Sequence, residues 1–173
     1  MSAFDYRVVA LDLDGTVLDS RGNISPKLRN LVASLADREV MTVICTGRRW
    51  RTTLPVVEEI ENAHPLVVCC GGALIKKGDT HATLHRRAMS RETARETIQL
   101  YRSSGLVPFL LYDRDIEKRE LVIPGDQREA ARQLLYVRRN IETVEFFDGD
   151  FPAEHGPPLE VYTVDDVSLI REA

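Results

Sequence analysis

The sequence predicts an α/β fold: a doubly wound parallel sheet in the first half and an α+β region in the second. Three observations predict it. The apolar runs Val8 to Leu13, Val40 to Cys45 and Leu66 to Cys70 are near-continuous rather than alternating, as strands buried on both faces are. Helical patterns separate these runs. After Gly71-Gly72 the chain changes to shorter strands mixed with charged helices.

Each element has its own grounds. Between the first two runs, Leu28, Leu31, Val32 and Leu35 fall at helical spacing, with Ser25 placed to cap the helix and Pro26 at its first position. Arg48 to Asn62 also reads as helix, and Pro55 is expected to kink or restart it. Strand, helix, strand, helix, strand with right-handed crossovers builds a doubly wound layer. Ala73 to Ile75 and Ala82 to Ala88 form a hairpin around Lys77-Gly78-Asp79. Ser90 caps a helix with Glu92 in its first turn and Ala94, Ile98 and Tyr101 facing inward, and Gly105 stops it. Val107 to Tyr112, Glu120 to Ile123, Val144 to Phe147 and Leu159 to Val164 read as strands. Gln127 to Asn140 reads as one helix, Phe151 to Pro158 as a loop, and a last helix starts after Asp165. The helices of this half are expected on one face of a small sheet. A boundary is expected at 78/79, dividing 1–78 from 79–173.

Composition narrows the function classes. With 173 residues, 43% hydrophobic and 29% charged, the chain can bury a core without staples. Its net charge of −4 gives no electrostatic case for nucleic acid or an anionic membrane. Cys45, Cys69 and Cys70 sit in apolar runs without zinc-ligand spacing, which fits free thiols in a reducing compartment. No stretch approaches a membrane span and no leader pattern opens the chain, so a cytoplasmic protein is expected. His64, His81, His85 and His155 show no ligand spacing.

The chemistry lies in Val8-Val9-Ala10-Leu11-Asp12-Leu13-Asp14-Gly15-Thr16. Two carboxylates stand two residues apart where a strand ends, and open α/β sheets bind ligands outside the carboxyl ends of their strands. A carboxylate can attack phosphorus, and a second can protonate the leaving oxygen and later take a proton from water. Like charges this close push one carboxyl's pKa upward or else require a cation, and Mg²⁺ suits oxygen ligands. The second strand ends in Ile44-Cys45-Thr46-Gly47-Arg48 at the same sheet edge. Thr46 offers a hydroxyl, Gly47 a close backbone approach, Arg48 a planar cation, and the following helix free N–H groups.

D-L-D-G-T after one apolar strand and I-C-T-G-R after the next resemble the haloacid-dehalogenase-like (HAD) phosphatases. Val67 to Ile75, with Gly71-Gly72-Ala73, resembles the third strand and N-G-A hairpin of their Cof-type, type IIB members, with Gly71 in place of the usual Asn. The resemblance implies a Rossmann-like core carrying an inserted α+β cap domain. It implies Asp12 as nucleophile, Asp14 as general acid/base, and Thr46 on the phosphoryl group. Asp12 and the carbonyl of Asp14 would hold Mg²⁺. Gly15, Thr16, Gly47 and Arg48 would line the phosphate site, and Gly71 and Gly72 would sit by the cap hinge. The substrate would be a small phosphorylated metabolite such as a sugar phosphate, with Arg86, Arg87 and Arg114 as cap contacts chosen by charge alone.

Two further elements of the family, a Lys and an acidic Mg²⁺-binding loop, have no convincing counterpart. Gly125-Asp126 and Asp165-Asp166 resemble the acidic loop and read better as helix caps. The core is therefore expected to be partial and the cap incomplete. The strand of Asp12 becomes an exposed apolar edge through which copies can pair. A non-catalytic phosphate- or Mg²⁺-binding pseudo-phosphatase, or an assembly subunit, stays open beside the enzyme. A receiver-like phosphoacceptor is disfavoured by the cap insert and the T-G-R element.

Overall fold

Val8–Asp12 (β1), Met41–Cys45 (β2) and Leu66–Cys69 (β3) run parallel, and Leu74–Lys77 (β4) and Thr83–Arg86 (β5) extend them antiparallel, in the order β1-β2-β3-β4-β5. The computed structural model describes residues 6–60, 64–114, 118–149 and 156–164. Pro26–Ala36 (α1) links β1 to β2, and Trp50–Glu59 (α2) links β2 to β3. This is a Rossmann-like α/β arrangement. Ser25 caps α1 by accepting the Leu28 N–H, as its side chain predicts. Pro55 lies within α2 without ending it.

Both helices cover the same face of the sheet. Strands laid down in one direction through right-handed crossovers require this. Val9 of β1 and Leu31 and Leu35 of α1 line one groove, and the Lys76 ammonium of β4 lies 5.6 Å from the centroid of the Trp50 ring of α2. On that face Ile44, Val67, Cys69 and Leu74 are buried. Register places Ala10, Val43 and Leu66, and Asp12, Cys45 and Val68, in rows across the opposite face. There Ala10 and Asp12 are exposed and Val43, Cys45, Leu66 and Val68 half-buried. The expectation of burial on both faces is thus met on one face only. β1 also ends the sheet, and Val8 at its start is 53% exposed.

The second unit is built on Phe109–Leu111 (β6), Leu121–Pro124 (β7), Val144–Phe147 (β8) and Glu160–Tyr162 (β9), in the order β8-β7-β6-β9. β7 and β8 are parallel and the other pairs antiparallel. Helix Arg91–Ser103 (α3) packs Ala94 and Ile98 onto Leu110, Tyr112 and Val122. The other face receives Arg128–Gln133 (α4) and Leu135–Arg139 (α5), with Tyr136 edge-on to Phe109 at 5.5 Å. Helices therefore lie on both faces, not one, and every residue of β6 and β7 is buried.

The single helix expected over Gln127 to Asn140 is broken at Leu134, whose backbone is extended. The break re-aims the chain so that Val137 is buried while Leu135 is exposed. The helix expected after Asp165 and most of the expected loop 151–158 fall outside the described residues.

The two compact units are Met1–Arg86 and Arg87–Ala173. The division falls after β5, past the expected 78/79 boundary, because β5 is hydrogen-bonded to β4 and completes the first sheet.

Candidate active site

Three strand ends build the site. Asp12 closes β1 in register with Cys45, and Cys45 pairs with Val68. After Asp12 the chain coils tightly: the Leu13 carbonyl accepts N–H groups from Thr16, Val17 and Leu18. Leu13 itself is fully buried and anchors the coil. Gly15 stands in it at φ +79°, a conformation that costs an L residue roughly 1–2 kcal/mol. This coil leaves the side chains of Asp12, Asp14 and Thr16 exposed. A short hairpin follows, in which the Asp19 carboxylate accepts the N–H groups of Arg21 and Asn23 at 2.9 Å each. These bonds hold the Asp19 carboxyl below the usual range. The run Asp19-Ser20-Arg21-Gly22-Asn23 carries this turn chemistry openly, and motif reading alone passed over it.

At the end of β2 the Thr46 N–H donates to the Val68 carbonyl at 2.9 Å, carrying the pairing one residue past the strand. Thr46 is buried, and its Oγ accepts the Arg48 N–H at 3.1 Å. Its own hydroxyl proton is left for a further acceptor. The Arg48 carbonyl accepts the Cys70 N–H at 2.9 Å. The end of β3 and the T-G-R turn are thereby tied together. α2 begins just beyond, at Trp50, without a side-chain cap on its first amides. Cys70, Gly71 and Gly72 all have positive φ and form the β3–β4 turn at this edge, with both glycines exposed.

The sequence places Arg48 in the phosphate cradle. In the structure its side chain is bound to Asp14, with Nε donating to Oδ2 at 2.9 Å and Nη2 to Oδ1 at 2.5 Å. These hydrogen bonds, with the guanidinium charge, hold the Asp14 carboxyl below the usual carboxylate range against a smaller desolvation effect. Nothing in residue spacing announces this pair, because it joins two turns 34 positions apart.

The donors present suit Mg²⁺ in part. Asp12 presents an exposed carboxylate at the sheet edge, and Mg²⁺ commonly takes only one or two carboxylates beside waters and substrate phosphate. Among the described residues no cluster of three or more His, Cys, Asp or Glu could hold a metal by itself. Asp126 is not the expected helix cap: it lies in the short turn before α4 and accepts from Arg102 of α3 at 2.7 Å. Asp165 and Asp166 lie outside the described residues. Arg114, chosen by charge as a cap contact, has its side chain buried in the second unit, with Nη1 donating to Glu145 at 2.6 Å and Cζ 5.2 Å from the Tyr112 ring centroid. Arg86 belongs to β5 and Arg87 is exposed.

The sequence profile of the haloacid dehalogenase-like hydrolases matches residues 9–151. The chain belongs to that family. It is 28% identical over 109 residues to the 5-amino-6-(5-phospho-D-ribitylamino)uracil phosphatase YwtE of Bacillus subtilis, covering 63% of this chain and 36% of that one. A phosphatase of the same superfamily from Bacteroides thetaiotaomicron superposes with a TM-score of 0.71 at 18% identity, over 97% of this chain and 59% of that one. The HAD subclass IIB sugar phosphatase BT4131 superposes with a TM-score of 0.60 at 12% identity, over 82% and 52%. The chain thus spans little more than a third of the YwtE sequence and between half and three-fifths of these two structures.

Proposed function

We propose that the chain carries the phosphoryl-transfer half of a Mg²⁺-dependent phosphatase acting on a small phosphorylated metabolite. The carrying observation is the convergence of Asp12, Asp14, Thr46 and Arg48 at adjacent strand ends, with Asp14 and Arg48 already in contact. The phosphoryl group would sit over the Thr46 hydroxyl and the amides of the T-G-R turn, with the Asp12 carboxylate facing phosphorus. An Asp12 oxygen forms the bond to phosphorus as the ester oxygen leaves, and Asp14, once released from Arg48 and protonated from solvent, gives that oxygen its proton. Water then attacks the aspartyl-phosphate, Asp14 takes its proton, and inorganic phosphate departs. Asp12 and the Asp14 carbonyl are the groups that would hold Mg²⁺, whose chemistry is to offset charge on carboxylate and phosphate.

Relatives named for a phosphoribityl compound and for a sugar phosphate favour a polyhydroxylated phosphate ester as substrate. Among the described residues no helix is long and apolar enough to cross a membrane; a cytoplasmic site of action is part of the proposal. A second reading, a non-catalytic phosphate-binding protein or an assembly subunit, draws on the Asp14 carboxylate being held by Arg48 and on the open sheet face.

The test is phosphate release from sugar phosphates and p-nitrophenyl phosphate, with Mg²⁺ or EDTA, beside Asp12→Asn. Turnover that needs Mg²⁺ and is lost in the variant supports the enzyme. Phosphate binding without turnover above the variant supports the second reading.

A further inference from the structure

The Arg48 main chain is pinned at both polar atoms. Its N–H donates to Thr46 Oγ and its carbonyl accepts from Cys70. Its side chain is bound to Asp14, and the pair lies near solvent, with 30% of the Arg48 and 59% of the Asp14 side chain exposed. The bonds use Nε and Nη2, the edge of the guanidinium that also matches two oxygens of a phosphoryl group. That edge cannot serve both anions at once, whereas a phosphoryl group on the Nη1–Nη2 edge would leave Asp14 in place and its removal without effect on phosphate affinity.

Resting on the phosphoryl-transfer reading, we propose that Arg48 is a positioning residue with two alternative partners. Without a phosphoryl group it holds the Asp14 carboxylate. A phosphoryl group seated over Thr46 takes the same edge and releases Asp14. The exchange moves one positive charge from a carboxylate to the arriving dianion, so Asp14 is set free only when there is a leaving group to serve. Asp14 and phosphate are competitors for one residue, and competition has a measurable signature.

The experiment titrates inorganic phosphate into the full chain in EDTA, reading the Thr46 amide and the Arg48 Nε resonance by NMR. Asp14→Asn removes the competitor and should tighten phosphate binding about fivefold, the factor an exposed ion pair near 1 kcal/mol corresponds to. In an Arg48→Met background the same change should have little effect, and Arg48→Lys, lacking the planar edge, should behave like Met. Equal tightening in both backgrounds would mean plain charge repulsion by Asp14, and it overturns the exchange. In the native chain, a Thr46 amide that shifts while Arg48 Nε does not also overturns it, whether or not the variants fold. Neither result touches the phosphatase reading. No phosphate binding in either the native chain or Asp14→Asn defeats the exchange, whereas the reading beneath it falls only with loss of Mg²⁺-dependent turnover.

Discussion

Val67 and Val68 are neighbours on β3, identical in side chain and opposite in setting. Val67 faces the helices and is fully buried, whereas Val68 lies half-buried on the open face. Truncating either to Ala removes two methyl groups. At about 0.8 kcal/mol per buried carbon, Val67→Ala loses about 1.6 kcal/mol of transfer energy, and the cavity left against α2 raises the total to about 2–3 kcal/mol. Val68→Ala loses roughly half the transfer energy and leaves no enclosed cavity, so it costs about 0.8 kcal/mol. The loss of β-branching is common to both and cancels in the difference. A gap of about 1–2 kcal/mol is therefore expected. The assay is urea unfolding followed by Trp50, the sole tryptophan, which sits buried in the same unit and reports its melting. Equal costs for the two variants would refute the one-sided core and show that the Val68 face is covered in solution.

Other expectations rest on separate features. Gly15→Ala meets no atom within 4 Å of its new Cβ, so its cost is backbone strain alone, about 1–2 kcal/mol in the same urea assay. The Arg48–Asp14 pair is exposed and should be worth no more than about 1 kcal/mol, shrinking with salt. Because the folded-state value of Asp14 is lowered, that contribution is present above the unfolded carboxyl value and disappears as pH falls through the folded one. Arg48→Met should flatten this part of the acid limb of a stability–pH curve. Leu110→Ala, at a fully buried position between β7 and β9, should destabilise the second unit by about 2–5 kcal/mol, read from backbone hydrogen exchange on β6. Asp126→Asn breaks the ion pair with Arg102, and the Mg²⁺ dependence of phosphate release is expected to stay as in the native chain.

The first sheet was legible because its determinants are local. Apolar runs mark β1, β2 and β3, Ser25-Pro26 marks the start of α1, and D-x-D-G-T and T-G-R mark two strand ends. How many faces are covered is not local. The runs Val8 to Leu13 and Leu121 to Ile123 look alike in sequence, yet β7 is buried throughout while β1 alternates between exposed and half-buried. Position in the sheet and the presence of helices on each side decide the matter, and neither is written in the run itself. The break at Leu134 was hidden for a related reason: no Gly or Pro marks it, and packing of Tyr136 and Val137 sets it. At the site, the placing of Asp12 and Asp14 at one strand end was legible, while the partner of Arg48 depends on two turns meeting in space.

The passage between the two units runs through consecutive arginines, Arg86 and Arg87, both exposed. Trypsin-like proteases cut after arginine, and Arg87, the first residue past β5, is exposed there. Brief digestion there would part the chain so that every proposed catalytic residue and Trp50 stay on the N-terminal piece. The fold thus offers its own dissection point, from which the autonomy of each half can be measured without designing a truncation.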